Sequence, residues 1–398
     1  MENSMISEKM MQLGKKRSVI REIFEYSKKR KAEIGAENVF DFSIGNPSVP
    51  APEHVKQVMT DLIANTDPVA LHGYTSAQGD AGVRGAIAGD IEEEFDVTVD
   101  PNLIYMTCGA AASLTVSLHA ICLPGDEVIA LAPFFPEYRV FTEKAGATLR
   151  VVPTLDGSFQ MDFDAIAAAI NEKTKAIIIN SPNNPTGVIF PEADIAKLGE
   201  LLRAKEAELG TEIYLITDEP YRKLVYGGLH VAYVPKHYAR TLVCYSYSKA
   251  LSLPGERIGY ILVSPDMPAA GDVYAAICGA GRALGFVCAP SLLQYTVAKC
   301  LRDTADVSVY AENRALLCDS LRKMGYQVTE PDGAFYLFVK AAEADAYAFC
   351  DRAKKFELLL VPSDDFGCPG YVRIAYCVET ETIRRALPAF EKLMETYK

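Results

Sequence analysis

From about residue 100 to residue 265, short β-branched runs alternate with stretches of helical periodicity, a pattern that few architectures accept. Strand candidates lie at 127–132, 148–152, 175–180, 212–217, 241–246 and 258–263. Between them, a helix over 194–209 sets Ile195, Leu198 and Leu202 on one face. Strands alternating with helices predict an α/β domain built on a mostly parallel sheet. In such sheets, ligands bind beyond the carboxyl ends of the strands.

On either side of this block the pattern changes. Ser18 can cap a helix with Val19, Ile20, Ile23 and Phe24 on one face and Gly35 as its stop. A turn-rich stretch, Gly45-Asn46-Pro47-Ser48-Val49-Pro50, comes next. Beyond about 290 the chain is helix-rich, with strand candidates at 334–339 and 371–376. The expected division is a large domain over 48–315 and a smaller α+β unit from 1–47 and 316–398, the smaller unit including an N-terminal arm. No repeat or low-complexity tract interrupts it.

The totals exclude several classes. A formal charge of −12 argues against nucleic acid or an anionic membrane as the main partner. No apolar run approaches the ~20 residues that span a bilayer, and residues 1–30 lack the apolar block of a signal peptide. The ten cysteines are scattered without a C-x-x-C pair and read as reduced thiols. The five histidines never fall at ligand spacing, so no metal is expected. Cytoplasm is the expected compartment.

Four segments end or directly follow strand candidates and carry chemistry. Cys108-Gly109-Ala110-Ala111-Ala112-Ser113 opens a helix after 103–106, and small residues at a helix N-terminus offer N–H groups to a phosphate. Asn180-Ser181-Pro182-Asn183-Asn184-Pro185-Thr186-Gly187 is, on composition alone, a turn. Asp218-Glu219-Pro220-Tyr221 sets a carboxylate and a phenol three residues apart; an acid there is often only a helix cap. Ser246-Tyr247-Ser248-Lys249 is followed by Arg257 and Gly259. A lysine so placed is usually solvated, but an amine beside anion-binding groups can also form a Schiff base with a carbonyl.

In order and spacing, these segments resemble the class I/II aminotransferases of fold type I, which depend on pyridoxal 5′-phosphate (PLP), and in particular their aspartate aminotransferase branch. The resemblance also covers 43–47, 73–84, Pro133-Phe134-Phe135, Pro331-Asp332-Gly333-Ala334-Phe335-Tyr336 and Arg373, nearly the whole chain. It implies a large α/β domain with a mostly parallel mixed sheet, a smaller α+β domain, and a homodimer with sites at the interface.

The resemblance also implies roles. Lys249 would carry PLP through a Schiff base and move the substrate proton. Asp218 would pair with the pyridine nitrogen, and Tyr221 and Asn184 would bond the ring oxygen. Ser246, Arg257 and the N–H groups around Gly109, Ala110 and Ala111 would hold the phosphate, with Tyr74 reaching across from the other subunit. Phe135 would stack on the ring; the chain has no tryptophan. Arg373, with Asn184 and the Gly45 backbone, would bind the α-carboxylate of an amino acid or 2-oxo acid in a planar fork.

Two departures bear on the substrate. Ala111 stands where some relatives have a threonine or a lysine, and Arg282 is a candidate replacement cation whose offset from Pro290 differs from theirs. A carbon–sulfur β-lyase shares the same core residues and is the main alternative. Gly279-Ala280-Gly281-Arg282-Ala283-Leu284-Gly285 imitates an NADP fingerprint, although the residues before it read as helix rather than strand. A purely regulatory relative would need an added DNA-binding domain, for which the length leaves no room.

Overall fold

The computed structural model of the chain describes residues 6–15 and 18–398, so the reading of residues 1–30 lies outside the described residues at 1–5, 16 and 17. Seven strands form the large sheet: β1 (Ile104–Thr107), β2 (Glu127–Ala132), β3 (Thr148–Pro153), β4 (Thr174–Asn180), β5 (Tyr214–Asp218), β6 (Thr241–Ser246) and β7 (Gly259–Val263). Their spatial order is β1-β7-β6-β5-β4-β2-β3. Every pairing from β3 across to β6 is parallel, whereas β7 runs antiparallel to both β6 and β1. The sheet is thus mixed and mostly parallel, as the alternation predicted.

The strand interiors are buried on both faces, and their period-two alternation separates two cores. Val128, Ala130, Ile178 and Ile216 point to one side, where Leu114 and Leu118 of helix Ala110–Ile121 pack. Ile129, Leu131, Ile177, Ile179 and Leu215 point to the other, against Ile195, Leu198 and Leu202 of helix Glu192–Leu209. The strand expected at 212 begins at Tyr214. Glu212 is paired with Arg240 and the Ile213 N–H bonds Glu206, which takes both residues out of the ladder.

A third core lies in the C-terminal part. Strands Val361–Pro362, Tyr371–Ala375, Tyr336–Lys340 and Val328–Thr329 form an antiparallel sheet in that order. It packs with Phe349, Phe390 and Phe42. The strand expected from 334 starts at Tyr336, because Ala334 is left-handed (φ +56°) and its carbonyl accepts from the Tyr226 hydroxyl. Helix Val307–Met324 runs through residues 315 and 316, and its Tyr310, Leu317 and Leu321 sit in this third core. Phe40–Asp41 pairs in parallel with Leu358–Leu359 and brings the Gly45 segment to the same region.

The N-terminal helix is Val19–Ile34, with the Ser18 hydroxyl accepting from the Arg21 N–H and Gly35 at the C-cap. Residues 279–284 of the nucleotide-like glycine stretch lie inside helix Ala270–Leu284, so the stretch follows no strand and lacks the turn a dinucleotide fingerprint needs. Gly281 is small because the Tyr105 hydroxyl occupies the space of a Cβ. No helix among the described residues is long and apolar enough to cross a membrane.

Candidate active site

Register sets the site. Asn180, Asp218 and Cys244 are neighbours across β4, β5 and β6, while Ser246 and Thr107 both face Gly259 across β7. The four chemistry-bearing segments therefore emerge side by side from one edge of the sheet.

At the end of β6, the Ser246 hydroxyl caps the short helix Tyr247–Ala250 by accepting from the Ser248 N–H at 3.2 Å. One turn on, Lys249 Nζ donates to the Gly45 carbonyl at 2.7 Å. Burial lowers the pKa of this amine to about 8; the Arg373 and Arg257 cations push the same way, against an opposing influence of Cys377. The neutral amine is therefore accessible near physiological pH.

Asp218 ends β5 and is buried. The Tyr138 hydroxyl donates to its Oδ2 at 2.5 Å, and Oδ1 has no hydrogen-bond partner. Burial raises its pKa to about 7, the Tyr138 bond favours the carboxylate, and nearby Glu219 disfavours it. An unpaired buried acceptor is costly, by about 1–3 kcal/mol. Oδ1 is thus suited to a donor from a bound molecule. Three residues on, the Tyr221 hydroxyl lies 3.0 Å from that of Tyr336.

An anion cradle sits between β1 and β7. Gly109 has φ +89° and begins helix Ala110–Ile121, whose first N–H groups have no intrahelical acceptor. Arg257, itself left-handed at φ +53°, donates from Nη1 to Ser248 Oγ at 3.1 Å and to the Pro254 carbonyl at 3.0 Å. A Cβ on Gly109 would stand 2.9 Å from Arg257 Nη2, so glycine is what lets the guanidinium approach the helix start.

On the opposite side, Arg373 rises from strand Tyr371–Ala375 and is 2% exposed. Its Nη2 donates to the Ser43 carbonyl at 2.5 Å and its Nη1 to Asn184 Oδ1 at 3.1 Å, while Nε has no partner. The guanidinium lies 4.5 Å from the Tyr336 ring centroid and 5.3 Å from that of Phe366. Asn184 is fixed by its own N–H, which donates to Asn180 Oδ1 at 2.7 Å. Asn180 Nδ2 in turn donates to the Asp218 carbonyl at 2.7 Å, linking the turn to β5.

Hydrogen bonds join Lys249 to Gly45, and Arg373 to Asn184 and to Ser43 two residues before Gly45, while Arg257 reaches both the Gly109 helix start and the Ser246 turn. Phe135 is partly buried and meets Tyr138 edge-on at 5.7 Å. Tyr74 is 98% exposed and Arg282 is exposed, and among the described residues neither side chain bonds to this group. Tyr138, Tyr336 and Ser248 were not selected from sequence. Tyr336 and Ser248 stood inside the motifs quoted above, but Tyr138 meets Asp218 across 80 residues, with no local signal. A separate cavity of about 680 Å³, lined by residues including Glu94, Arg222 and Tyr233, contains none of this group.

Residues 37–390 match the family "Aminotransferase class I and II". The chain belongs to that family. An aminotransferase structure from Eubacterium rectale covers 100% of both chains at 53% identity with a TM-score of 0.98. The aspartate aminotransferase of Thermotoga maritima is 30% identical over 384 residues, 95% of this chain and 97% of its own. Aromatic-amino-acid aminotransferase 2 of Thermococcus litoralis is 27% identical over 398 residues, 96% of each chain.

The family's enzymes depend on PLP, and the residues present fit that group. The unpaired Asp218 Oδ1 suits a protonated ring nitrogen, the cradle of Gly109, Ser246 and Arg257 suits a phosphate, and the Lys249 amine suits an aldehyde. This aminotransferase is accordingly a PLP-dependent transaminase acting on amino acids and 2-oxo acids.

Proposed function

We propose that this chain transfers the α-amino group of an amino acid to a 2-oxo acid with Lys249 as cofactor anchor and proton carrier. The observation that carries the reading is the part-buried Lys249 amine, just past the end of β6 and near enough to the buried Arg373 cation to be influenced by it, beside β5, whose terminal Asp218 carboxylate keeps one unpaired buried oxygen. When bound, PLP supplies the electron sink that allows the Cα–H bond to break. Asp218 would favour a protonated ring nitrogen, with Tyr138 steadying the carboxylate from the other oxygen. Tyr221 and Asn184 would bond the ring 3′-oxygen, and Ser246, Arg257 and the N–H groups of Ala110 and Ala111 would take the phosphate. Phe135 would pack on the ring face.

Arg373 receives the substrate α-carboxylate in its planar fork, with Asn184 and the Gly45 backbone fixing the direction of Cα–H. Lys249, its pKa lowered to about 8 by burial, is placed to accept the proton from Cα and, as the resulting acid, would give it up on the cofactor side rather than back to Cα. Arg373→Ala is expected to raise KM for any amino acid by about 30-fold or more while leaving PLP bound, as loss of a buried charge partner does. Steady-state kinetics checks this; loss of PLP with unchanged KM would contradict the assignment.

Relatives are named for aspartate and for aromatic amino acids. Ala111 brings no cation for a second carboxylate, which favours substrates without one. A panel of amino acids, each followed for release of its 2-oxo acid, tests the preference. Pyruvate and ammonia measured in parallel report the β-lyase alternative.

Tyr74 supports a homodimer: its ring is 98% exposed, on a segment steadied by Cys288 N–H to the Ala77 carbonyl and Gln294 to the Thr75 hydroxyl. Its hydroxyl would reach the phosphate of the other subunit. Light scattering is expected to give twice the chain mass, and Tyr74→Phe to weaken PLP binding about ten-fold; a monomer with full PLP affinity would contradict it. The ten free thiols support a reducing, cytoplasmic setting.

A further inference from the structure

Outside the lysine site, three metal-ligating side chains converge. His54, Cys300 and Asp303 each place a ligand atom within 4.8 Å of the other two. His54 is in the first turn of helix Glu53–Asn65, Cys300 caps the end of helix Ser291–Lys299, and the Asp303 N–H donates to the Cys300 carbonyl at 3.1 Å. The His54 Nδ1 and Asp303 Oδ2 atoms are 2.6 Å apart. The histidine side chain is 50% exposed and the aspartate 27%, whereas Cys300 is buried, so the cluster opens to solvent on its imidazole side.

We propose that His54, Cys300 and Asp303 form a binding site for a divalent transition-metal cation of the zinc class. A thiolate, an imidazole and a carboxylate are zinc ligands, and three protein ligands with one open position make a recognised coordination pattern. Calcium and magnesium prefer all-oxygen sites, so the sulfur and nitrogen select against them. Zinc bonds of about 2.0–2.3 Å set ligand atoms about 3.3–3.6 Å apart. The His54–Asp303 contact of 2.6 Å must therefore open, and the thiol, within 4.8 Å of both partners, needs at most a small approach. The half-exposed imidazole has room to turn, and the carbonyl end of helix Ser291–Lys299 adds favourable negative potential beside Cys300. Binding the cation would displace the Cys300 thiol proton to solvent, as thiolate ligation requires.

The position gives such a cation a structural consequence. His54 follows the segment from Gly45, whose carbonyl accepts from Lys249. Asp303 precedes Ala305, whose N–H donates to the carbonyl of Ala250, the residue after Lys249, at 2.7 Å. A bound cation would tie together two segments that each lead to the lysine turn, and would stabilise the folded chain in proportion to its occupancy.

Cobalt(II) titrated into the metal-free, untagged, PLP-loaded enzyme is the probe. The expected result is visible d–d absorption of a tetrahedral thiolate site, saturating at one equivalent per chain and bleached by zinc, with zinc raising the Tm. His54→Ala and Cys300→Ser are each expected to weaken binding at least ten-fold. His54 is exposed enough that its variant reports even if the Cys300 variant misfolds. No cobalt absorption, or absorption whose midpoint survives His54→Ala, would reduce the cluster to an ordinary His–Asp ion pair over a core thiol and overturn the proposal.

Discussion

Lys249→Ala is expected to lower kcat by about 10⁴-fold or more, because one amine serves both as the covalent anchor of the cofactor and as the proton carrier. The yellow absorbance of the lysine-bound cofactor should vanish with it. The side chain is part-buried and, among the described residues, its hydrogen bond is to the Gly45 carbonyl, so the truncation leaves one part-buried acceptor and little else unsatisfied. Circular dichroism should accordingly show a folded protein. Single-turnover kinetics with any good amino-acid donor measures the loss, and near-normal turnover by this variant would remove Lys249 from the mechanism.

Asp218→Asn is expected to reduce kcat by about 10³-fold, the scale of losing one preorganised charge at a reacting centre. An amide keeps the shape but cannot hold a proton on a ring nitrogen by opposite charge. The same substitution has a signature that does not depend on turnover. In the cofactor-free protein, burial raises the Asp218 pKa from 3.8 to about 7. The sign follows from proton binding: the folded state holds this proton more tightly, so its stabilisation is complete below the unfolded value. It is lost as pH rises through about 7, to a total of about 4 kcal/mol. Thermal unfolding of the cofactor-free wild type should therefore weaken between about pH 4 and pH 7, and the Asn variant should lack that component. A variant with an unchanged pH profile would mean that Asp218 is not the buried acid described here. Bound PLP should flatten the wild-type profile, since a ring cation opposite Oδ1 favours the carboxylate.

Much of this was legible in the chain because parallel strands are buried on both faces. Runs such as 127–132 and 241–246 need continuous apolar or β-branched residues, and both coincide with the observed β2 and β6. The residues that matter then follow at the strand ends, where Asp218 and Lys249 stand out as charges directly after buried runs. Partnerships across long separations were not legible. Tyr138, on helix Glu137–Lys144, reaches Asp218 across 80 residues with nothing local to signal it, and only the family resemblance, not any residue pattern, brought Arg373 and Asn184 together across 189 residues. His54 was set aside because its ligand-bearing neighbours, Cys300 and Asp303, are nowhere near it in sequence. Strand starts shifted where side chains competed with the ladder, as Glu206 does for the Ile213 N–H.

The most direct test follows the nitrogen. An amino acid labelled isotopically at its α-nitrogen is supplied to the PLP-loaded enzyme together with an unlabelled 2-oxo acid of a different side chain. The predicted result is label in the newly formed amino acid, none in free ammonia, and no transfer by Lys249→Ala. Label appearing as ammonia beside a 2-oxo acid, or transfer that persists without Lys249, would contradict the account.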